Sequence, residues 1–486
     1  MKKHLVVGFL IMYSWALFVE AAVAQKPDRT KPPKLGPPPT LKLPPLQRFT
    51  LSNGLPVLLI EKHQVPLVQI TLLVRVGSAM DPPDRRGLAS LTAAMMEEGA
   101  GERDALAFAD AVDFLGATIN VSAGMHTTTV SLFTPLSKLD SALALFADVI
   151  ARPRFPAEEL ERKRIERLTT LQQWHDEPRI IASQLFNKVL FGEQHPYGVP
   201  TIGNEQALRA FTVQDLRSFY AAYFSPRNAT LIVVGDVVPA VLRTKLEAEL
   251  ASWKGDAVPP PSLQPAPQVQ ARKLYVVDKP GAPQSVIRIG RIGAARTTPD
   301  YYAITVMNTI LGGSFTSRLN NNLREEHSYT YGAGSRFTML PLPGAFLAFS
   351  DVHTEVTDKA LGEFMKELRA IASVTEEEVQ RAKNYVALGY PSQFQSVGEI
   401  AGALAEVVLY NLPDDYFNSY TSRILAVTKK DVERVARTYI DPDRIVIVVV
   451  GDRKKIEQAI APLQLGQIEY LTIEDVLGKP PVIEKP

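Results

Sequence analysis

The chain contains an internal repeat, and this repeat constrains the fold more than any other feature of the sequence. Two segments share a helix-start aspartate, a turn proline and a Gly-Asp pair after a run of valines. Each landmark recurs 216 positions later: Asp215 and Asp431, Pro226 and Pro442, Gly235 and Gly451. Three landmarks at one offset indicate a duplicated domain, since a solenoid repeat has a far shorter period.

Proline clusters mark the boundaries of the two copies. Of the 37 prolines in the 486-residue chain, 16 lie in three short segments, at 27–45, 259–267 and 480–486. Proline favours extended backbone and does not continue helices or central strands. We therefore expect a signal peptide at 1–24, a proline-rich arm at 25–46, an N-terminal domain at 47–256, a linker at 257–272, a C-terminal domain at 273–470 and a tail at 471–486.

The first 24 residues have the pattern of a secretory signal peptide. Lys2 and Lys3 precede an apolar run, and Ala22-Val23-Ala24 fits a cleavage site. An uncleaved anchor is the alternative, but the run is shorter than the ~20 residues that span a bilayer. We expect export to a periplasm and no membrane span after cleavage.

Composition excludes several classes of site and partner. The chain has no cysteine, which excludes disulfides, thiolate metal sites and cysteine nucleophiles. The formal net charge is only +1, so there is no bulk electrostatic attraction to nucleic acid. We therefore expect no nucleic-acid partner.

Strand and helix patterns alternate in each copy and predict α+β domains. Asn53-Gly54 indicates a hairpin within 48–61, and 68–76, 126–133 and 229–234 have strand composition. Residues 86–98, 136–150 and 157–174 have helical spacing, and Thr212 with Asp215 predicts a helix start. We expect two duplicated domains, each a largely antiparallel sheet with helices packed on it.

Several motifs, taken in order, resemble the pitrilysin/insulinase family of metallopeptidases, in its processing-peptidase-like branch. They lie at 49–55, 87–89, 195–198, 223–236, 311–313, 317–319 and 323–324. The resemblance covers about 47–470 and implies one half of a clamshell, two such chains enclosing a chamber for peptides.

The zinc motif of that family is missing. Active members carry His-x-x-Glu-His on the helix after Gly-Leu-Ala, where two histidines bind zinc and the glutamate acts as general base. Here the ligand positions are Ser90 and Ala94, and the base position is Ala93. The position of the distal glutamate ligand falls at Lys163. We therefore expect no metal bound by this chain, and zinc only in a partner subunit.

The second copy retains the residues that the family uses to contact substrate. The resemblance implies that Arg324 and, seven residues later, Tyr331 hold the peptide or stabilise the oxyanion opposite a zinc site. Gly312, Gly313 and Ser314 resemble the family's glycine loop and imply substrate binding. A helix C-cap is the alternative reading of the two glycines.

These features predict a non-catalytic subunit of a heterodimeric zinc peptidase. Its partner would be a related chain with intact His-x-x-Glu-His, and Arg324 and Tyr331 would act in trans on peptide substrates. The alternative is a non-proteolytic peptide-binding or scaffold protein, possibly homodimeric. We expect this chain to be inactive alone and to act as part of a zinc metalloendopeptidase complex, and the sequence leaves open whether it has any residual activity alone.

Overall fold

The computed structural model describes residue 36, residues 41–259 and residues 262–483. The expected signal peptide and most of the proline-rich arm lie outside the described residues. In residues 47–256 the chain forms a six-stranded sheet. Its strands are β1 (Gln47–Thr50), β2 (Pro56–Glu61), β3 (Leu67–Val74), β4 (Thr118–Ala123), β5 (Thr128–Pro135) and β6 (Ala229–Gly235).

The first sheet has the order β1-β2-β6-β3-β5-β4. Only the β2–β6 pair is parallel, so the sheet is largely antiparallel. Every residue of β6 is buried, as expected for a strand at the centre of a sheet that is covered on both faces.

Helices cover this sheet and extend from it. They are α1 (Leu88–Met96), α2 (Ala105–Phe114), α3 (Leu139–Ala151), α4 (Ala157–Gln173), α5 (Pro178–Phe191), α6 (Glu205–Ala210), α7 (Val213–Tyr223) and α8 (Pro239–Leu250). At α7 the Thr212 hydroxyl and the Asp215 carboxylate form the predicted capping box.

Residues 273–471 repeat the arrangement with a second six-stranded sheet of order β12-β7-β11-β8-β10-β9. Its strands are β7 (Lys273–Asp278), β8 (Gln284–Ile292), β9 (Thr330–Phe337), β10 (Ala345–His353), β11 (Val446–Gly451) and β12 (Gln467–Leu471). The edge strand β12 and the strand β11 both run parallel to β7, and the other pairs are antiparallel.

The helices of the second half follow the same order. They are α9 (Tyr301–Leu311), α10 (Thr357–Ala370), α11 (Glu376–Gly389), α12 (Val397–Tyr410), α13 (Tyr416–Ala426), α14 (Lys429–Tyr439), α15 (Arg453–Ile460) and α16 (Ile473–Leu477). A helical turn at Arg318–Asn320 continues into a π-helical turn at Asn321–Glu326. Thr428 and Asp431 form the capping box of α14, the counterpart of the box on α7.

One helix of each half packs on the sheet of the other half. Helix α5 packs on β11 and β8, where Ile181 and Leu185 join one cluster with Val448. Helix α12 packs on β6 and β3, where Leu404 shares a cluster with Val234. This exchange buries apolar surface between the halves, so each sheet depends on the other half for part of its core.

The α+β architecture expected from the repeat is confirmed. Among the described residues, no helix has the length and apolar character needed to cross a bilayer. Helix α16 and residues 478–483 lie in the segment that the sequence assigned to a tail. There the Arg209 guanidinium donates to the Val482 carbonyl at 2.7 Å.

Candidate functional site

Helix α1 carries Ser90 and Ala94, the positions that the motif resemblance assigns to zinc ligands, and a buried carboxylate defines its start. Gly87 precedes the helix with φ of +101°, and the N–H groups of Gly87 and Ala89 donate to Asp81 at 2.8 Å each. A side chain on Gly87 would lie 2.5 Å from the Ile202 carbonyl oxygen. Glycine is required here by both its backbone angle and this close approach.

An arginine contacts the first of the zinc positions. Arg167 on α4 donates from its two terminal nitrogens to the Ser90 hydroxyl and the Ser90 carbonyl, both at 2.8 Å. The Ser90 hydroxyl is also 2.7 Å from the Thr201 carbonyl. Ala93 is buried and Ala94 is half-buried, and neither methyl group can bind a metal. A guanidinium is therefore hydrogen-bonded to the residue that the family resemblance places at the first zinc-ligand position.

Lys163, at the expected position of the distal ligand, is paired with a different carboxylate. Its ammonium lies 3.0 Å from the carboxylate of Glu98, a residue that follows α1. The same carboxylate forms a second ion pair, at 2.6 Å, with the guanidinium of Arg162. In the described residues, no group of three or more metal-ligating side chains is arranged to hold an ion. Hydroxyl, methyl and ammonium groups beside an arginine do not fit a catalytic zinc ion.

Burial shifts the pKa values of the groups around α1. It raises the pKa of Asp81 to about 6, although the two helix N–H groups oppose the shift. It raises the pKa of Glu97 to about 6, and the Val121 N–H that donates to this carboxylate opposes the shift. Burial lowers the pKa of Arg167 to about 10, which leaves the guanidinium charged near neutral pH. Charged side chains therefore surround α1, and positively charged ones lie on α4.

The retained arginine and tyrosine lie at the surface of the second half. Arg324 belongs to the π-helical turn, a distortion that often occurs at functional sites. Its guanidinium lies 4.6 Å from the ring centre of Phe315, which is itself exposed. Tyr331 is the second residue of the edge strand β9, and 87% of its surface is exposed. Both side chains are accessible to a molecule in solution.

The predicted glycine loop is attached to the strand that carries Tyr331. The Ser335 N–H donates to the Gly312 carbonyl at 3.0 Å, and a side chain on Gly312 would lie 2.2 Å from the Ser335 nitrogen. The Ser314 hydroxyl donates to the Thr309 carbonyl at 3.1 Å, and Gly313 packs against the end of α9. The loop therefore ends α9 and fixes its position against β9.

Three histidines of the first half have structural contacts. His195 accepts from the Tyr197 N–H at 3.1 Å and stacks on Phe191. His126 lies 2.6 Å from the Tyr197 hydroxyl, and burial lowers the pKa of His126 to about 4. A ring nitrogen of His175 lies 2.9 Å from the Gly478 carbonyl. These contacts fix a turn and the C-terminal segment.

Two residues of this region escaped the sequence analysis. Arg167 lies one helical turn after Lys163, so the spacing alone would have put both residues on the same face of α4. Phe315 directly follows the glycine loop, where an exposed aromatic residue indicates a contact surface.

Comparison with known proteins identifies the family. Residues 56–200 match the family described as "Insulinase (Peptidase family M16)", and residues 210–386 match "Peptidase M16 inactive domain". Together these matches cover more than half of the chain. The chain belongs to the pitrilysin/insulinase family of metallopeptidases. The resemblance drawn from the sequence motifs is confirmed.

Curated relatives are similar along most of their length. The zinc protease PqqE of Helicobacter pylori is 24% identical over 408 residues, which cover 82% of this chain and 90% of the relative. An uncharacterized zinc protease of Mycobacterium leprae is 26% identical over 335 residues, covering 66% of this chain and 74% of the relative.

Solved structures share the fold. A peptidase M16 inactive domain from Pseudomonas fluorescens superposes with a TM-score of 0.78 at 26% identity, covering 84% of this chain and 98% of that one. The periplasmic protease PqqL from Escherichia coli gives a TM-score of 0.71 at 18% identity, covering 88% of this chain and 48% of that one.

Proposed function

We propose that this chain is the non-catalytic subunit of a heterodimeric zinc peptidase of its family. In this proposal it binds peptide substrate and supplies Arg324 and Tyr331 to the zinc site of a partner that carries His-x-x-Glu-His. The observation that carries the proposal is the contrast between the two halves. The first half has Arg167 bonded to Ser90 at a ligand position, whereas the second half keeps an accessible arginine and tyrosine.

The chemistry of the two retained residues suits this assignment. A guanidinium presents fixed donors to a peptide carbonyl, and its contact with Phe315 limits the directions in which it points. A phenol can donate to negative charge that develops on the carbonyl oxygen. Neither residue needs a metal on its own chain, so both can act on a substrate bound to the partner.

The glycine loop anchors the part of the chain that carries Arg324 and Tyr331. Its backbone bond to Ser335 joins α9 to β9, so the segments before Arg324 and around Tyr331 share one anchored region. We assign Gly312, Gly313 and Ser314 to substrate binding on this ground. The expected signal peptide, together with similarity to the periplasmic PqqL, supports a periplasmic location.

The test measures peptide cleavage by the partner mixed with this chain. We expect Arg324→Ala to lower kcat/KM by about 100-fold, the size of effect seen when one oxyanion donor is removed. Tyr331→Phe, which removes only the hydroxyl, should lower it by about tenfold or more. Arg369→Ala, an exposed arginine on α10, is the control and should leave the rate unchanged.

Wild-type rates in the Arg324→Ala mixture would refute the proposal. The alternative, a non-proteolytic peptide-binding or scaffold protein, predicts peptide binding or assembly with no cleavage in any mixture.

A further inference from the structure

A basic cleft lies beside Tyr331, on the face of the second sheet opposite α10. Its volume is about 380 Å³, and it opens between the start of α5 and the strands β8, β9 and β10. The side chains that define it are Arg179, Arg288, Tyr331, Arg336, Phe349 and Asp351. Tyr331 thus lines a cavity together with charged residues that are not part of the family motifs.

Strand register explains why these side chains meet. Arg288 lies opposite Phe349, and Arg336 lies opposite Leu347. Residues directly opposite in a sheet point to the same face. The guanidinium groups of Arg288 and Arg336 lie 5.9 and 5.3 Å from the Phe349 ring centre. Two cations therefore flank one aromatic ring beside the edge strand.

The cleft has more positive than negative charge. Asp351 pairs with Arg179, and its other oxygen lies 3.4 Å from a terminal nitrogen of Arg288. In the part of the chain that the structure describes, no carboxylate lies within 4.0 Å of Arg336. Three arginines therefore line the cleft with one carboxylate, and that carboxylate pairs with only two of them, Arg179 and Arg288.

The excess of positive charge is unfavourable because one of the arginines, Arg288, is buried. The Arg288 side chain is only 10% exposed, and burial lowers its pKa, an effect that Asp351 opposes. A shielded cation is stabilised by each further anion that reaches it. The cleft is therefore suited to take up a negatively charged group from solution.

We propose that this cleft binds a carboxylate of a peptide, so that the chain selects acidic peptides. The inference deepens the proposed function and rests on it, because Tyr331 links the cleft to the peptide that Arg324 would hold. A planar carboxylate matches the fork of a guanidinium, and Arg336 is the arginine available to bind it bidentately.

The test uses the full mature chain and short peptides that are acetylated and amidated at their ends. One peptide carries a central Glu, and its counterpart carries Gln; a third keeps Gln and has a free C-terminal carboxylate. Calorimetry should show about tenfold tighter binding for a peptide with a carboxylate. The second and third peptides distinguish a side-chain carboxylate from a terminal one, and either source supports the site.

Variants of Arg336 decide the matter. Arg336→Ala and Arg336→Gln should reduce the preference to less than about twofold while leaving the Gln peptide bound as before. Arg369→Ala, on the opposite side of the sheet, should keep the full preference. Equal affinity of the wild type for all three peptides would overturn the inference alone. Loss of preference in Arg369→Ala would also overturn it. Absence of binding by every peptide would overturn both this inference and the peptide-binding role.

Discussion

The contact between Arg167 and Ser90 gives the sharpest stability prediction. Arg167→Ala removes two charge-assisted hydrogen bonds at 2.8 Å, whereas Ser90→Ala removes only one of these two, the bond to the hydroxyl. Such bonds contribute about 1.5–3 kcal/mol each. We expect Arg167→Ala to destabilise α1 by at least about 3 kcal/mol and Ser90→Ala by about 2–3 kcal/mol.

The double variant should lose less than the sum of the two single losses. Once Arg167 is absent, the Ser90 hydroxyl keeps its contacts with the Thr201 and Gly87 carbonyls. Ser90→Ala removes these contacts whether or not Arg167 is present, so they cancel in the comparison. The coupling free energy should therefore be about 1.5–3 kcal/mol.

Hydrogen exchange of the α1 amides measures the opening free energy of that helix. The control is Arg164→Ala, which removes a different arginine of α4 that donates to Phe211. Combined with Ser90→Ala, it should be additive to within about 0.5 kcal/mol. Additivity of Arg167→Ala with Ser90→Ala would refute the claim that the guanidinium is hydrogen-bonded to the Ser90 hydroxyl.

Two further predictions concern pH and the packing between the halves. Although burial alone would raise it, the bonds from Arg318 and the Thr375 N–H hold the pKa of Glu378 to about 2. The stability that Glu378 contributes is therefore complete above about pH 4.5 and is lost as the pH falls towards 2. Glu378→Gln should lower the free energy of unfolding, measured in urea, by about 1–2 kcal/mol at pH 7. This loss should become smaller as the pH falls towards 2, and a loss that stays constant would contradict the prediction. Leu404→Ala should cost about 3–5 kcal/mol in the same assay, and Leu106→Ala, at an exposed position, should cost little; equal costs would argue against a shared core.

Local patterns predicted the elements of the fold well. The hairpin at Asn53-Gly54 forms between β1 and β2, and the Thr212 capping box begins α7. Two helix starts differ from the predicted ones, because the local backbone conformation at the start of the helix determines them. The helix expected from residue 86 begins at Leu88, because Gly87 is in a left-handed conformation. The helix expected from 136 begins at Leu139, because Leu136–Lys138 forms a 3₁₀ turn.

Contacts between distant parts of the chain could not be predicted in the same way. The spacing of buried residues in α5 and α12 shows that each helix has an apolar face, but not that the face covers the sheet of the other half. For the candidate site, the sequence indicated the loss of ligands at Ser90 and Ala94. That Arg167 contacts Ser90 depends on how α4 packs on α1, which a single sequence does not encode locally.

The central claim is that catalysis needs both this chain and a zinc-binding partner. The most direct measurement is peptide turnover and bound zinc for each purified chain alone and for their equimolar mixture. We predict turnover in the mixture well above that of either chain, with zinc in the partner and none in this chain. Turnover by this chain alone, with one zinc ion bound per molecule, would contradict the account.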